Sequence, residues 1–535
     1  MMGFQVYLSV VLTVKDLILL FIGQTDDLII YKHVLIQVKI ISLNKMNKLN
    51  IKSAKALLVF TVLSVGGFAQ DKTKPTTKRP NILFIAVDDM RPELGCYGNT
   101  VVRTPNIDRL AGNSTVFLNA YCQQAVCSPS RTSVLTGLRP NSTKVWDLTT
   151  HFRTNIPNVV TLPQYFKQNG YFAQSMGKIY HDPKWAQDSM SWSAPEIEAV
   201  TDNAGKYVLD SNKFKKDADT KGPWKAAASE SADVPDNAYI DGKVAESAIK
   251  FLKRRRDSPF FLAVGFRRPH LPFSAPKKYW DLYERNQIPL PKNPSAPEKA
   301  PSIALHNSTE LRGYRDIPKT GIISAEKTKE LIHGYYASIS YIDAQIGKLL
   351  DELKSSGQFD NTIIVLWSDH GFHLGEQSLW AKTTNYELDA RVPLIIKTPG
   401  SVKAIKTTAL VELVDLYPTL AEMSQLPIPT GLEGLSIVPL LNDPAKNLKT
   451  GAFTQFPRPA QFKDRPGIMG YSVRTKRFRY TEWQDFQTGK KVAVELYDHL
   501  KDPEETLNVA GEKEYASKAS ELNKMLRKGI HEPLP

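Results

Sequence analysis

Four short apolar runs constrain this chain more than any other feature: "NILFIAV" (81–87), "FFLAVGF" (260–266), "TIIVLWS" (362–368) and "VPLIIKT" (392–398). Each is continuous rather than alternating, so the strand it predicts must be covered on both faces. Helical periodicity separates them, over Leu162–Gln168, Ile240–Arg255, Glu326–Leu353 and Val411–Met423. The third is the clearest, with Leu331, Tyr335, Ile339, Ile342, Ile346 and Leu350 at three- and four-residue spacing. Buried strands alternating with helices predict an α/β fold on a large, mostly parallel sheet flanked by helices. We expect this domain over residues 81–425.

After about residue 425 the pattern changes. "SQLPIPTGLEGLSIVPLL" is rich in Pro and Gly and reads as a connection. Beyond it, "GAFTQF", "GYSVRTKRFRYTEW" and "VAVELYDH" read as short antiparallel strands, followed by a helix near Tyr515 to Gly529. These features predict a smaller α+β C-terminal subdomain over 426–535.

The first eighty residues are different again. Charges interrupt the apolar stretches before Met46, so none reaches the roughly eighteen uncharged residues of a membrane span. From Met46 the order is that of an export signal: Lys48, Lys52 and Lys55, then "ALLVFTVLSVGGF", then small and polar residues. We expect a signal peptide at 46–69, a linker at 70–80, and an upstream extension at 1–45 preceding the true start. A membrane-anchored N-terminus is the alternative. The product is expected to be secreted or periplasmic, or held at the cell surface, without a stable membrane span.

Residues 1–80 hold 11 Lys+Arg against 4 Asp+Glu, half of the chain's formal +14. The remaining positive balance suits an anionic ligand. No basic stripe with interleaved aromatics points to nucleic acid. The run "FLKRRRD" (251–257) reads as the end of an exposed helix, where cations suit the dipole.

In open α/β sheets, ligands bind beyond the carboxyl ends of the strands. Here the first strand runs into Asp88-Asp89, the second into Arg267-Arg268-Pro269-His270, and the third into Asp369-His370-Gly371. Paired acids after a strand are often only a helix cap. Three carboxylates gathered from two strand ends, however, suit a hard cation such as Ca²⁺ or Mg²⁺ better than zinc. Three cysteines make no disulfide framework. Cys96 and Cys122 either pair or remain packed thiols. Cys127 precedes Pro129, which suits a first helical turn, so it sits where a helix N-terminus attracts anions. Arg131 adds a planar cationic fork. A sulfate or phosphate ester is a natural ligand there; a thiol that only caps a helix, or a thiolate nucleophile, are the other readings.

"CSPSR" followed by "TSVLTG" resembles the signature of the type I, formylglycine-dependent sulfatases. The resemblance continues in order through "DDMRPELGCYGN", "TPNIDRLA", "TLPQYFKQNGY", "GKIYH", "RRPHLPF", "SDHGFHLGE", "WAKTTNYE" and "RVPLIIKTPG", and is strongest to the iduronate-2-sulfatase group. It implies an alkaline-phosphatase-like sulfatase fold. It implies that a formylglycine-generating enzyme converts Cys127 to formylglycine. Asp88, Asp89, Asp369 and His370 would bind one Ca²⁺ together with that residue. By the same resemblance Arg131 holds the formylglycine hydrate, Lys178 and His181 flank it, and His270 and Lys382 reach the sulfate and the leaving oxygen.

Phe372, His373 and Thr383 depart from the iduronate-2-sulfatase group, which has Trp, Ala and Tyr there. We therefore expect a changed sugar pocket with His373 as a substrate contact. The implied activity is hydrolysis of sulfate esters on polysaccharides or oligosaccharides, either glycosaminoglycans or algal glycans such as ulvan. A phosphonate or phosphate ester hydrolase of the same superfamily, and a non-catalytic glycan-binding protein, are the competing readings.

Overall fold

A computed structural model describes residues 79–181, 186–197, 206–212, 226–254 and 256–531. The expected upstream extension, the signal peptide, and the linker as far as residue 78 lie outside the described residues.

The central sheet has seven strands: β1 (Asn81–Val87), β2 (Thr115–Tyr121), β3 (Phe172–Gly177), β5 (Phe260–Phe266), β7 (Thr362–Ser368), β10 (Arg391–Lys397) and β11 (Ile405–Glu412), in the order β11-β2-β10-β7-β1-β5-β3. β1 pairs in parallel with β5 and β7, β3 with β5, and β11 with β2; β10 alone runs antiparallel to its neighbours. Two small pairs complete this part of the chain: β4 (Ser229–Ala232) with β6 (Phe273–Pro276), and β8 (His373–Leu374) with β9 (Trp380–Ala381).

Side chains alternate across a strand, which explains why the apolar runs are unbroken. Leu83, Ile85 and Val87 of β1 join one core with Leu262, Val264, Ile364 and Leu366. Ile82, Phe84 and Ala86 join the opposite core with Phe261, Ala263, Val365 and Trp367. On the first face lie α1 (Pro105–Ala111), α4 (Ile240–Leu252) and the long α6 (Ala325–Ser355), which buries Leu331, Tyr335, Ile339, Ile342, Ile346 and Leu350. On the other lie α2 (Cys127–Thr136), α3 (Leu162–Gln168) and α8 (Leu416–Met423).

The expected helix over Val411–Met423 begins late. Val411 and Glu412 belong to β11, and a short 3₁₀ turn at Leu413–Asp415 intervenes. Glu412 and Asp415 form a reciprocal capping box that fixes this break. The basic run after α4 is not wholly exposed either: Phe251 and Leu252 are buried, and the Arg256 guanidinium covers the Phe251 ring at 3.5 Å.

The C-terminal sheet is antiparallel, β12 (Ala452–Arg458), β13 (Ile468–Arg474), β14 (Phe478–Asp485) and β15 (Lys491–Asp498) in that order. The segment "GYSVRTKRFRYTEW" folds as the β13–β14 hairpin, with Thr475 N donating to Phe478 O at 2.8 Å. Helix α9 (Ala516–His531) covers this sheet through Leu522 and Leu526, which pack with Met469, Val473, Tyr480 and Leu496.

Candidate active site

Register brings the polar strand ends together. Val87 lies opposite both Phe266 and Ser368, and Gly177 opposite Gly265. The residues that follow β1, β3, β5 and β7 therefore leave the sheet side by side at one edge. The chain leaving β2 reaches the same place and starts α2 at Cys127, with Val126 as the residue before the first turn.

Cys127 Sγ lies 3.4 Å from Asp88 Oδ1, 3.4 Å from His370 Nε2 and 3.8 Å from Lys178 Nζ. Asp88, Cys127, Asp369 and His370 offer ligand atoms all within 4.8 Å of one another, as do Asp88, Asp89, Cys127 and His270. Arg131, one turn into α2, organises the floor. Its Nε donates to Asp369 Oδ2 (2.8 Å), its Nη2 to Asp88 Oδ1 (2.9 Å), and its Nη1 to the carbonyls of Lys178 (2.6 Å) and Ile179 (3.0 Å). Lys178 Nζ donates to Asp88 Oδ2 at 2.6 Å. Lys382 Nζ donates to both oxygens of Asp89, at 3.1 and 2.8 Å.

The electrostatics are those of a crowded acidic pocket. Burial raises the Asp88 pKa, but Lys178 and then Arg131 outweigh it and hold the carboxyl well below the usual range. Asp89 has less compensation: burial, opposed by Lys382 and His370, pushes it up to about 7. Its backbone is left-handed, φ 62°, a conformation that costs energy in a non-glycine residue and is concentrated at functional sites. The conformation is held by Tyr335 Oη, which donates to Asp89 O at 2.8 Å, and by Asp89 N, which donates to Asp369 Oδ1 at 3.2 Å. Burial, then Asp88, raises the Cys127 thiol well above its ordinary value, and burial, then Lys382, lowers His270 well below its own.

The two groups share Asp88 and Cys127, one adding Asp369 and the other Asp89, and oxygen donors suit a hard cation. The chemistry of the donor set thus fits Ca²⁺, with Asp88, Asp89, Asp369 and His370 able to hold it.

The sulfatase family pattern matches residues 80–426, and the C-terminal pattern of N-sulphoglucosamine sulphohydrolase matches 375–532. The chain belongs to the sulfatase family. It is 35% identical to iduronate 2-sulfatase of Mus musculus over 514 residues, covering 81% of this chain and 91% of that protein. It is 31% identical to a sulfatase of Formosa agariphila over 491 residues, covering 88% and 91%. A structure solved in complex with its substrate D-glucosamine-2-N,6-O-disulfate superposes with a TM-score of 0.67 at 25% identity, covering 85% of this chain and 99% of that one. A phosphonate monoester hydrolase of Agrobacterium radiobacter shares the fold, with a TM-score of 0.68, 23% identity, and coverage of 85% and 96%. This sulfatase is accordingly a sulfuric ester hydrolase.

His181 lies three residues past Lys178, half-buried, with its carbonyl accepting from Gln187 Nε2 at 2.8 Å. His373 is a correction. It is fully buried, with Nδ1 2.6 Å from Asp389 Oδ1 and Nε2 2.9 Å from Gln377 Oε1, so neither ring nitrogen is left to meet a sugar. Phe372 is likewise core: it is fully buried and stacks on Tyr335 at 5.5 Å. The three cysteines are free thiols, so Cys96 and Cys122 do not pair.

One group of this sulfatase's pocket had no sequence signal. Glu310, on the single turn α5 (Thr309–Arg312), places Oε1 2.9 Å from Lys382 Nζ and 3.3 Å from His270 Nε2. A lone Glu in a polar loop carries no pattern from which this could be read.

Proposed function

We propose that this protein hydrolyses sulfate esters on polysaccharides or oligosaccharides, using one Ca²⁺ and a formylglycine made from Cys127. One observation carries the reading: Sγ of residue 127 sits at a helix N-terminus, among Asp88, His370 and Lys178, with Arg131 fixing the acids. The sulfur stands where the oxygens of the oxidised residue would be. The names of the relatives, an iduronate 2-sulfatase and a protein bound to a sulfated glucosamine, support a sulfated sugar as substrate.

Oxidised to formylglycine, position 127 would supply a hydrated aldehyde, whose two hydroxyls permit attack on sulfur and then release of sulfate, as a lone serine or cysteine could not. Bound Ca²⁺ would polarise the sulfate oxygens as a Lewis acid. The chain's own residues do the rest. Arg131 and Lys178 are positioned cations that offset charge growing on the transferring group without reorganising. His270 has Nδ1 committed to Leu271 O at 2.6 Å, with Nε2 3.3 Å from Glu310 Oε1. Lys382, or His270 in its protonated form, supplies the proton for the leaving oxygen. His181 takes a proton from position 127 as sulfate leaves. The basic and apolar segment at 46–69 supports export, hence a secreted or periplasmic enzyme. No helix among the described residues is long and apolar enough to cross a membrane.

The test joins two measurements. Peptide mass spectrometry of active protein should show an aldehyde in place of the thiol at 127, and a panel of sulfated oligosaccharides should release inorganic sulfate. Full activity with only unmodified cysteine would falsify the mechanism. Faster turnover of phosphate mono- or diesters would move the protein to the phosphoester branch of the superfamily.

A further inference from the structure

The backbone pairing of β1 ends at Asp88, whose N–H donates to Phe266 O at 3.1 Å. The next three backbone N–H groups are each met by a side chain from elsewhere in the chain. Asp89 N donates to Asp369 Oδ1 at 3.2 Å, Met90 N to Ser368 Oγ at 2.9 Å and Arg91 N to Tyr335 Oη at 3.0 Å. Ser368 and Asp369 belong to the end of β7, which also supplies the metal cluster. Tyr335 comes from a different element, the long helix α6.

The Tyr335 hydroxyl acts in both directions. It donates to Asp89 O at 2.8 Å while it accepts from Arg91 N, so one oxygen closes a bridge across Met90. Asp89 opens that bridge in the left-handed region, φ 62°, which aspartate enters more readily than most residues but still at a cost. Asp89, Met90, Arg91 and Tyr335 are all buried, so solvent is not at hand to replace the hydroxyl. The ring itself is placed by other means: it stacks on Phe372 at 5.5 Å and meets Phe273 edge-on at 5.6 Å.

The direction of the Asp89 carboxylate follows from its backbone. In the present conformation its oxygens receive Lys382 Nζ and lie with Asp88, Cys127 and His270 in one group of candidate ligands. A chain released from the left-handed region would carry the side chain away from that group. Held as it is, the carboxylate needs no rearrangement to ligate a cation. A site that is in its competent form for only a fraction of the time binds more weakly by that fraction.

We propose that Tyr335 is a positioning residue for the metal site: its hydroxyl fixes Asp89 in the left-handed conformation that brings the carboxylate to the cluster, and so sets the affinity for Ca²⁺. The proposal rests on the Ca²⁺ reading above and adds a residue that acts on the ion through backbone alone.

Tyr341, on the same helix, supplies a matched control. It is equally buried, and its hydroxyl also donates to a backbone carbonyl, that of Asp236, at 2.8 Å. The parent, Tyr335→Phe and Tyr341→Phe are equilibrated in chelator-buffered Ca²⁺, and bound metal is read by elemental analysis. Each substitution removes one oxygen and keeps the ring, and the unfolding temperature at saturating Ca²⁺ should fall in both. Tyr335→Phe should need about ten- to a hundredfold more free Ca²⁺ for half-occupancy, as the loss of two hydrogen bonds implies, while Tyr341→Phe stays within about twofold of the parent. The deficit in sulfate release by Tyr335→Phe should shrink as free Ca²⁺ is raised, because the ion then holds Asp89 in place of the hydroxyl. Parental half-occupancy in Tyr335→Phe, or an equal shift in Tyr341→Phe, would overturn the proposal and leave the hydroxyl with a role in stability alone. If the parent takes up no Ca²⁺ at any concentration, the Ca²⁺ reading fails and the proposal with it.

Discussion

His373 Nδ1 lies 2.6 Å from Asp389 Oδ1, and both side chains are fully buried. Asp389 also accepts from Thr384 N (2.9 Å) and Thr384 Oγ1 (2.7 Å), two residues beyond Lys382. Gln377 accepts from His373 Nε2 and passes its own amide protons to the carbonyls of Glu504 and Glu505, both at 3.0 Å. The pair therefore ties the lysine segment to the C-terminal part of the chain. His373→Ala would strand a buried carboxylate, which typically costs about 3–5 kcal/mol. Urea denaturation should register that loss. Turnover should fall by one common factor on glycan and small aryl sulfate, because the loosened group is Lys382; a loss confined to the glycan would restore His373 as a sugar contact.

The same pair sets a pH dependence. Burial lowers the His373 pKa, but Asp389 outweighs it and the folded value lies above the ordinary one of about 6.5. A raised pKa contributes stability that is fully present below about 6.5 and is lost as pH rises through the folded value. Denaturation midpoints of the parent and His373→Ala should therefore converge as pH is raised through that range. A gap that widens there would show that the imidazolium is not the stabilising form.

Much of this was legible from one-dimensional pattern, and the failures have physical causes. Burial on both faces makes β1, β5 and β7 read as unbroken apolar runs, and their ends carry the acids and His270. The same burial hides direction: β10 is as apolar as its neighbours yet runs antiparallel, which no composition reveals. The strands β2 and β3, with Asn119 and Gln174 among their residues, lacked a clean run. His373 was misassigned because neighbouring positions on a loop do not share a facing: two residues of β8 turn its ring into the protein while His370 faces Cys127.

Asp369 joins two functions, since Oδ2 accepts from Arg131 Nε at 2.8 Å while Oδ1 accepts from Asp89 N at 3.2 Å. Asp369→Asn keeps the volume and removes the charge. Elemental analysis should find about one Ca²⁺ per chain in the parent and none in the variant, with turnover lower by about a hundred- to a thousandfold or more, the loss typical of one preorganised electrostatic group. Stoichiometric zinc in the parent would contradict the oxygen-donor argument.

Arg131 cannot be replaced by another cation. Its four contacts use Nε and both Nη atoms in one plane, against two carboxylates and two carbonyls. A lysine places a single ammonium and leaves most of these acceptors unsatisfied in a fully buried site. Arg131→Lys should lose about 3–5 kcal/mol of stability, the range for breaking a buried pair, and nearly all activity. A variant with parental stability and reduced turnover would instead assign Arg131 to chemistry alone.

Gly265 governs the position of Lys178 through backbone alone. Lys178 N donates to Gly265 O at 2.9 Å, and a Cβ built on Gly265 would fall on the Lys178 carbonyl. The preceding Gly177, at φ 73°, has no room either, since its Cβ would meet Gly265 O. The two strands thus approach where only glycine fits, and the chain turns there to aim Lys178 Nζ at Asp88 and its carbonyl at Arg131. Gly265→Ala must push Lys178 outward and disturb both contacts. Overpacking of this kind costs about 1–3 kcal/mol. Turnover should fall about ten- to a hundredfold at temperatures where the variant remains folded, because a small misplacement of a charged group near the reacting atoms is costly. Gly511→Ala, where nothing lies within 4 Å of the added carbon, is the control and should change neither. If Gly265→Ala loses stability but keeps its kcat, the position of Lys178 is set by Asp88 and not by this crossing of backbones.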